Sequence, residues 1–199
     1  GIDLSARQIE ANRSQWEPIS QQLTELGGVA PEPRWVTGDS ANVATLAPGK
    51  YDFILCCPPY YDLEVYSDQA GELSVMPYPK FLDTYMSIFR ACLAMLKQDR
   101  FLTIVISDIR NKQDPNGAYR GFLAANVAIM KRLGVELYND AVLINAAGSL
   151  PLRTGKQFDA TRKLGRGHQN VLVFLKGDAR KATAACRIDE DRSHFAQAP

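Results

Sequence analysis

Tyr51-Asp52-Phe53-Ile54-Leu55-Cys56-Cys57-Pro58-Pro59-Tyr60 is an apolar run that ends in two prolines. The run fits a strand buried on both faces, and the prolines stop it because neither can donate to a sheet ladder. Such a stop lies at the carboxyl end of a strand, where open α/β sheets bind their ligands. Proline fixes φ, so the carbonyls of Cys57 and Pro58 are expected to face a pocket with little entropy left to lose. Tyr60 adds an aromatic face. Two acceptors in line with a flat surface suit a planar ring bearing an exocyclic amine. The plainer alternative is that Pro-Pro only ends a strand and that Cys56 and Cys57 are core residues.

Upstream, Gly1-Ile2-Asp3-Leu4 reads as a strand end with an acid at its tip. Ser5 is placed to cap a helix carrying Ile9, Trp16, Ile19 and Leu23, with a kink or split at Pro18 and a close at Gly27-Gly28. Arg34-Trp35-Val36-Thr37-Gly38-Asp39 reads as a second short strand ending in an acid, and Pro48-Gly49 turns the chain into the proline-ended strand. Downstream, Phe81, Leu82, Tyr85, Phe89, Cys92, Leu93 and Leu96 recur at helical spacing and predict a helix from Tyr78 to Gln98. Phe101 to Ile106 reads as a buried strand ending at Ser107-Asp108. A second helix carries Phe122, Ile129, Met130 and Leu133 and stops at Gly134. Leu137 to Ile144 and Val171 to Leu175 read as strands with no clear helix between them, which leaves antiparallel pairing at one edge open.

Strands alternating with helices predict an α/β fold, its mostly parallel sheet covered on both faces. The chain has 199 residues, 46% of them hydrophobic, which suits one domain, expected over residues 1–177. Mixed charge and alanine without a strong period predict a frayed tail over 178–199.

A formal net charge of +1 excludes bulk electrostatics as the means of holding a polyanion, so any such binding needs a local patch. No apolar run approaches the roughly 18 to 20 residues of a membrane span, and no secretory signal opens the sequence. A cytoplasmic location is expected. Cys56, Cys57, Cys92 and Cys186 lack CxxC spacing, and His168 and His194 form no paired motif. Reduced thiols and no metal are expected.

Acids at strand tips have a specific use, because a dinucleotide-like ligand lying there needs acceptors for its ribose hydroxyls. Asp3 fits that role, and Asp39 fits an acceptor for an adenine amine. Either acid equally suits a cap on the next helix. Cations gather between the last two strands, where residues 148–168 hold Arg153, Lys156, Arg162, Lys163, Arg166 and His168 with Asp159 as the sole acid. A loop of that length is usually functional or disordered, and its composition suits phosphate contacts. A solvated charged loop is the alternative. Tyr61 to Pro79 is acidic instead, and reads either as a lid bringing Tyr61 and Tyr66 near a ligand or as a plain surface loop.

Taken in order, Gly1-Ile2-Asp3-Leu4, Gly38-Asp39-Ser40 and Cys57-Pro58-Pro59-Tyr60 resemble the S-adenosylmethionine-dependent DNA amino-methyltransferases. That family modifies adenine N6 or cytosine N4 through an (Asp/Asn/Ser)-Pro-Pro-(Tyr/Phe) motif, and phage and prophage modification enzymes are similar. Cys57 departs from the pattern, and a thiol is a weak acceptor. The resemblance implies a Rossmann-like class I methyltransferase sheet with an antiparallel C-terminal edge. It implies S-adenosylmethionine held by Asp3, Leu4, Asp39, Ser40 and Cys56, and catalysis at Cys57, Pro58, Pro59 and Tyr60. Its partner would be double-stranded DNA, which would present a flipped base. The family's glycine-rich loop belongs before Asp3, so an N-terminally truncated domain is expected. Two rival readings stay open: methylation of RNA or of a protein glutamine, and a non-catalytic nucleic-acid-binding module with a degenerate cofactor site.

Overall fold

The computed structural model describes residues 1–29, 31–67, 71–145 and 150–186, with residues 150–153 described by their backbone alone. The chain divides into two compact units. The first comprises Gly1–Tyr51 and Tyr61–Met95; the second comprises Asp52–Tyr60 and the chain from Leu96 onward.

In the first unit, β1 (Ile2–Asp3) pairs in parallel with β2 (Val36–Thr37), Asp3 standing opposite Thr37. Between them in sequence runs α1 (Ala6–Glu25), capped by Ser5, whose hydroxyl accepts the Gln8 amide at 3.2 Å. The helix neither splits nor stops at Pro18. A proline deletes one amide donor, and the turns on either side keep theirs. Gly28 N donates to Leu23 O at 2.9 Å and closes the helix where the Gly27-Gly28 pair predicts. Trp16 meets Trp35 edge to face at 6.4 Å, which seats α1 beside the strand leading into β2.

A 3₁₀ turn (Ser40–Asn42) and the short α2 (Val43–Leu46) follow. Later in this unit, α3 (Tyr78–Met95) buries Phe81, Tyr85, Phe89 and Leu93, a four-residue spacing that lines one face. It ends at Met95 and not at Gln98, because Leu96 already belongs to a strand.

The second unit contains most of a four-stranded sheet in the order β3 (Tyr51–Cys56), β4 (Leu96–Ile106), β6 (His168–Lys176), β5 (Glu136–Ile144). Here β6 lies antiparallel to both neighbours, from Arg100 opposite Lys176 to Ile106 opposite Asn170 on one side and up to Ile144 opposite His168 on the other. The antiparallel edge predicted for the last two strands is therefore present. Its register shifts between Leu137 and Asn139, so Tyr138 has no partner in the ladder. Leu102, Ile104, Ile106, Leu172 and Phe174 are buried at the centre.

β3 corrects one expectation. Phe53 and Leu55 are 53% and 63% exposed, whereas the apolar run predicts burial on both faces. Among the described residues β3 is the outer strand of its sheet, and outer strands are covered less.

After β4 the chain enters α4 (Phe122–Arg132), whose first amide and that of Ile109 both donate to Asp108 Oδ1, at 2.9 and 2.8 Å. Two helices appear where none is expected. α5 (Leu150–Thr161) occupies most of the segment read as a long loop, leaving residues 162–167 as its link to β6. Pro151 and Gly155 resemble loop punctuation, yet proline is tolerated in a helix's first turn. α6 (Ala179–Ala185) lies in the segment read as a frayed tail. Asp178 caps it by accepting the Lys181 amide at 2.9 Å, and Ala182 is completely buried, so that alanine is a packing residue. Residues 187–199 of that expected tail lie outside the described residues.

Candidate functional site

β3 delivers the proline corner to the second unit. Cys56 is half-buried, its sulfur 4.0 Å from the Thr103 carbonyl of β4. Cys57 is exposed, and Pro58, Pro59 and Tyr60 are half-buried. Among the described residues the Pro58 carbonyl has no hydrogen-bond partner. Tyr60 Oη donates to the Val105 carbonyl at 3.3 Å and accepts from Gln169 Nε2 at 2.8 Å. The far end of this ring is thus tied to both β4 and β6. Gln169 is absent from the sequence-based candidates, and no local pattern marks it.

At the other end of β3, Asp52 is bound by Lys97 Nζ at 2.8 Å and Arg100 Nε at 3.1 Å. These charge-assisted hydrogen bonds hold its carboxyl below the ordinary value.

The two tip acids belong to the first unit, at the carboxyl ends of paired parallel strands. Asp3 Oδ1 accepts the Ser5 amide at 2.7 Å, and Asp39 Oδ1 accepts the Ala41 amide at 2.8 Å. The capping alternative is therefore true of one oxygen of Asp39, which caps the 3₁₀ turn, whereas Asp3 holds the amide of Ser5, the residue that caps α1. Leu4 and Ser40 beside them are half-buried. Asp39 Oδ2 faces Gly71, where an added Cβ would lie 2.7 Å from it.

The lid reading is corrected for Tyr61. It is 6% exposed, and its ring lies 4.9 Å from Tyr78 and 5.2 Å from Phe81. A buried aromatic cluster outweighs display at a ligand. The acidic segment is also pinned from within, since Glu72 accepts Ser74 N at 3.0 Å, Ser74 Oγ at 2.8 Å and Ser67 Oγ at 3.3 Å. Tyr66 remains exposed.

The cations are sorted differently by the fold. Lys156 and Arg162 are exposed, whereas Lys163, Arg166 and His168 are half-buried; the Arg153 side chain lies outside the described residues. Arg162 sits over Phe158 at 5.3 Å and 3.9 Å from Asp159. Arg166 Nη2 donates to Asn170 Oδ1 at 2.8 Å, and Asn170 Nδ2 donates to Asp140 Oδ1 at 3.3 Å, which makes a chain across β6 and β5.

A second cationic segment joins them. Residues 109–120 fold back on themselves, with Asn111 N donating to Ala118 O and Arg120 N to Ile109 O, both at 2.8 Å. Arg110 lies 4.3 Å above the Tyr119 ring and donates to Gly117 O at 2.9 Å. Gly117 has φ +59, and a Cβ there would collide with Lys163 Nζ, so this hairpin abuts the link between α5 and β6. Asp114-Pro115-Asn116-Gly117, a turn signal between Arg110 and Arg120, is the mark that would have found it.

No family model matches this sequence, and no curated protein matches it. Solved structures do match. TTHA0409 of Thermus thermophilus, a candidate DNA modification methylase solved with S-adenosyl-L-methionine, superposes with a TM-score of 0.54 at 16% identity over 81% of this chain and 61% of its own. PvuII DNA methyltransferase, cytosine-N4-specific, superposes with a TM-score of 0.51 at 16% identity over 76% of this chain and 53% of its own.

The fold is that of the class I methyltransferases.

The chain spans less than two thirds of the length of these methyltransferases. Within this methyltransferase fold, among the described residues, no cluster of three His, Cys, Asp or Glu is arranged for a metal, and no helix is long and apolar enough to cross a membrane. No disulfide joins any of the four cysteines, all of which lie among the described residues. A groove of about 370 Å³ on α1, lined by Ser20, Gln21, Thr24 and Glu25, includes none of the residues described above.

Proposed function

We propose that this chain takes part in transferring a methyl group from S-adenosylmethionine to the exocyclic amine of adenine (N6) or cytosine (N4) in DNA. One observation carries the reading: a proline-stiffened strand end whose Pro58 carbonyl has no hydrogen-bond partner among the described residues, beside an aromatic ring fastened by its hydroxyl, set on a methyltransferase fold. The similar structures include one solved with S-adenosyl-L-methionine and one specific for cytosine N4, which agrees with it.

Asp3, Leu4, Asp39, Ser40 and the backbone of Cys56 are assigned to the donor. Asp3 keeps a second carboxylate oxygen for a ligand hydroxyl, and the second oxygen of Asp39, which Gly71 approaches from one side, is assigned to an amine. Bound S-adenosylmethionine supplies an electrophilic sulfonium methyl group. The Pro58 carbonyl accepts a hydrogen bond from the target amine and shares the positive charge that develops on nitrogen as the N–C bond forms and the S–C bond breaks, the surplus proton leaving to solvent, while the ring of Tyr60 holds the base by its face. Orientation supplies much of the rate, and no covalent enzyme intermediate is required. The amine must leave the base stack to be reached. Lys156, Arg162 and Lys163 are assigned to phosphates, joined by Lys112 of the adjoining hairpin.

The test is incubation of the whole protein with methyl-labelled S-adenosylmethionine and unmethylated duplex DNA, followed by mass spectrometry of the nucleosides. N6-methyladenine or N4-methylcytosine is the expected product. Label found only in RNA or in a peptide glutamine supports a rival substrate, and failure to bind the donor supports the binding-module reading.

A further inference from the structure

We infer that Gln169 is a positioning residue for Tyr60, fixing the plane of the ring through its hydroxyl. The inference rests on the methyl-transfer reading and extends it to a residue 109 positions away in sequence.

Gln169 Nε2 donates to Tyr60 Oη at 2.8 Å, and Tyr60 Oη donates onward to the Val105 carbonyl at 3.3 Å. The hydroxyl's single hydrogen is used by Val105, so Gln169 must approach as a donor, which its amide can do. The placement follows from register. Val105 stands opposite Val171, and Gln169 precedes Val171 by two residues, so it emerges on the same face of β6. A ring that stacks against a base has a required plane, and free rotation about its side-chain bonds would cost orientation. Two hydrogen bonds at the tip fix the direction of the ring axis, and the phenolic O–H, which prefers to lie in the ring plane, biases rotation about it. The hydroxyl's function here is alignment and not chemistry.

The experiment is a double-mutant cycle in the whole protein with Tyr60→Phe, Gln169→Leu and Gln169→Glu. Glutamate matches glutamine in shape but offers an acceptor to an oxygen whose hydrogen is already used. Each single variant is expected to lower kcat for DNA methylation about three- to tenfold, the scale of one lost hydrogen bond for the Gln169 variants and at the upper end for Tyr60→Phe, which loses two, with the DNA KM within about twofold. Both Gln169 variants should have no further effect once Tyr60 is Phe. Effects that multiply, a Gln169→Glu variant as fast as wild type, or a loss confined to KM would overturn the inference while leaving the methyl-transfer reading intact. A wild-type protein that transfers no methyl group to DNA removes both.

Discussion

Asp39 and Gly71 are fitted to each other: the carboxylate lies where any side chain on residue 71 would begin, and Gly71 holds φ at +95. Gly71, in the segment rich in acids, is therefore seated against one of the acids proposed to hold the donor.

Gly71→Ala should destabilise the protein by about 1 to 3 kcal/mol, since an L-residue is strained at that φ and its methyl group collides with Asp39. Urea titration measures it. In an Asp39→Ala background the cost should shrink to the backbone part alone, so additive costs would show that the collision contributes nothing.

Removing Asp108 should loosen the entry to α4. Asp108→Ala strips the acceptor from both the Ile109 and Phe122 amides. A loss of about 1 to 3 kcal/mol is expected by chemical denaturation. Asp108→Asn, which keeps an acceptor oxygen, should recover most of it.

Much of this architecture is legible in sequence where the controlling interaction is local. The Pro58-Pro59 stop, the Ser5 cap and the four-residue spacing through α3 each involve neighbours within a few residues, and all three appear as read. Pro151 misleads because a proline that breaks a helix interior is harmless in its first turn, and Gly155 because one exposed glycine inside a helix costs only about 1 kcal/mol. Tyr61 misleads for the opposite reason: an aromatic beside a motif looks like part of it, while its partners Tyr78 and Phe81 lie well downstream. Gln169 is illegible because its role depends on strand order. Only after β6 enters the sheet between β4 and β5 does it reach Tyr60.

Stability on the acid side should depend on Asp52. Its pKa is depressed by Lys97 and Arg100, so its contribution is present above the ordinary carboxylate value and is lost as pH falls through the lowered one. Asp52→Asn should therefore flatten the stability profile below about pH 4 relative to wild type. Denaturant midpoints recorded from pH 6 downward test this, and parallel profiles would refute it.

Thiol reactivity should separate the four cysteines. Cys57 and Cys186 are exposed, whereas burial pushes the Cys92 thiol up from its ordinary value. The thiolate is the reactive form, so iodoacetamide at pH 8 should alkylate Cys57 and Cys186 first and Cys92 last. Peptide mass spectrometry over time gives the order. If the proposed site is correct, saturating S-adenosylmethionine should slow Cys57 and leave Cys186 unchanged.

Tyr138, the extra residue in β5, sets the parity of everything after it. Counting across the irregularity, Asp140 falls opposite Leu172 and so shares a face with Asn170, to which it is bonded. Had the strand run on without that insertion, each later side chain would have emerged on the reverse side, and Asp140 would have been turned away from Asn170 and Arg166. A single surplus tyrosine in an edge strand is thus what lets an aspartate on the outermost strand steady the arginine that begins the approach to Gln169.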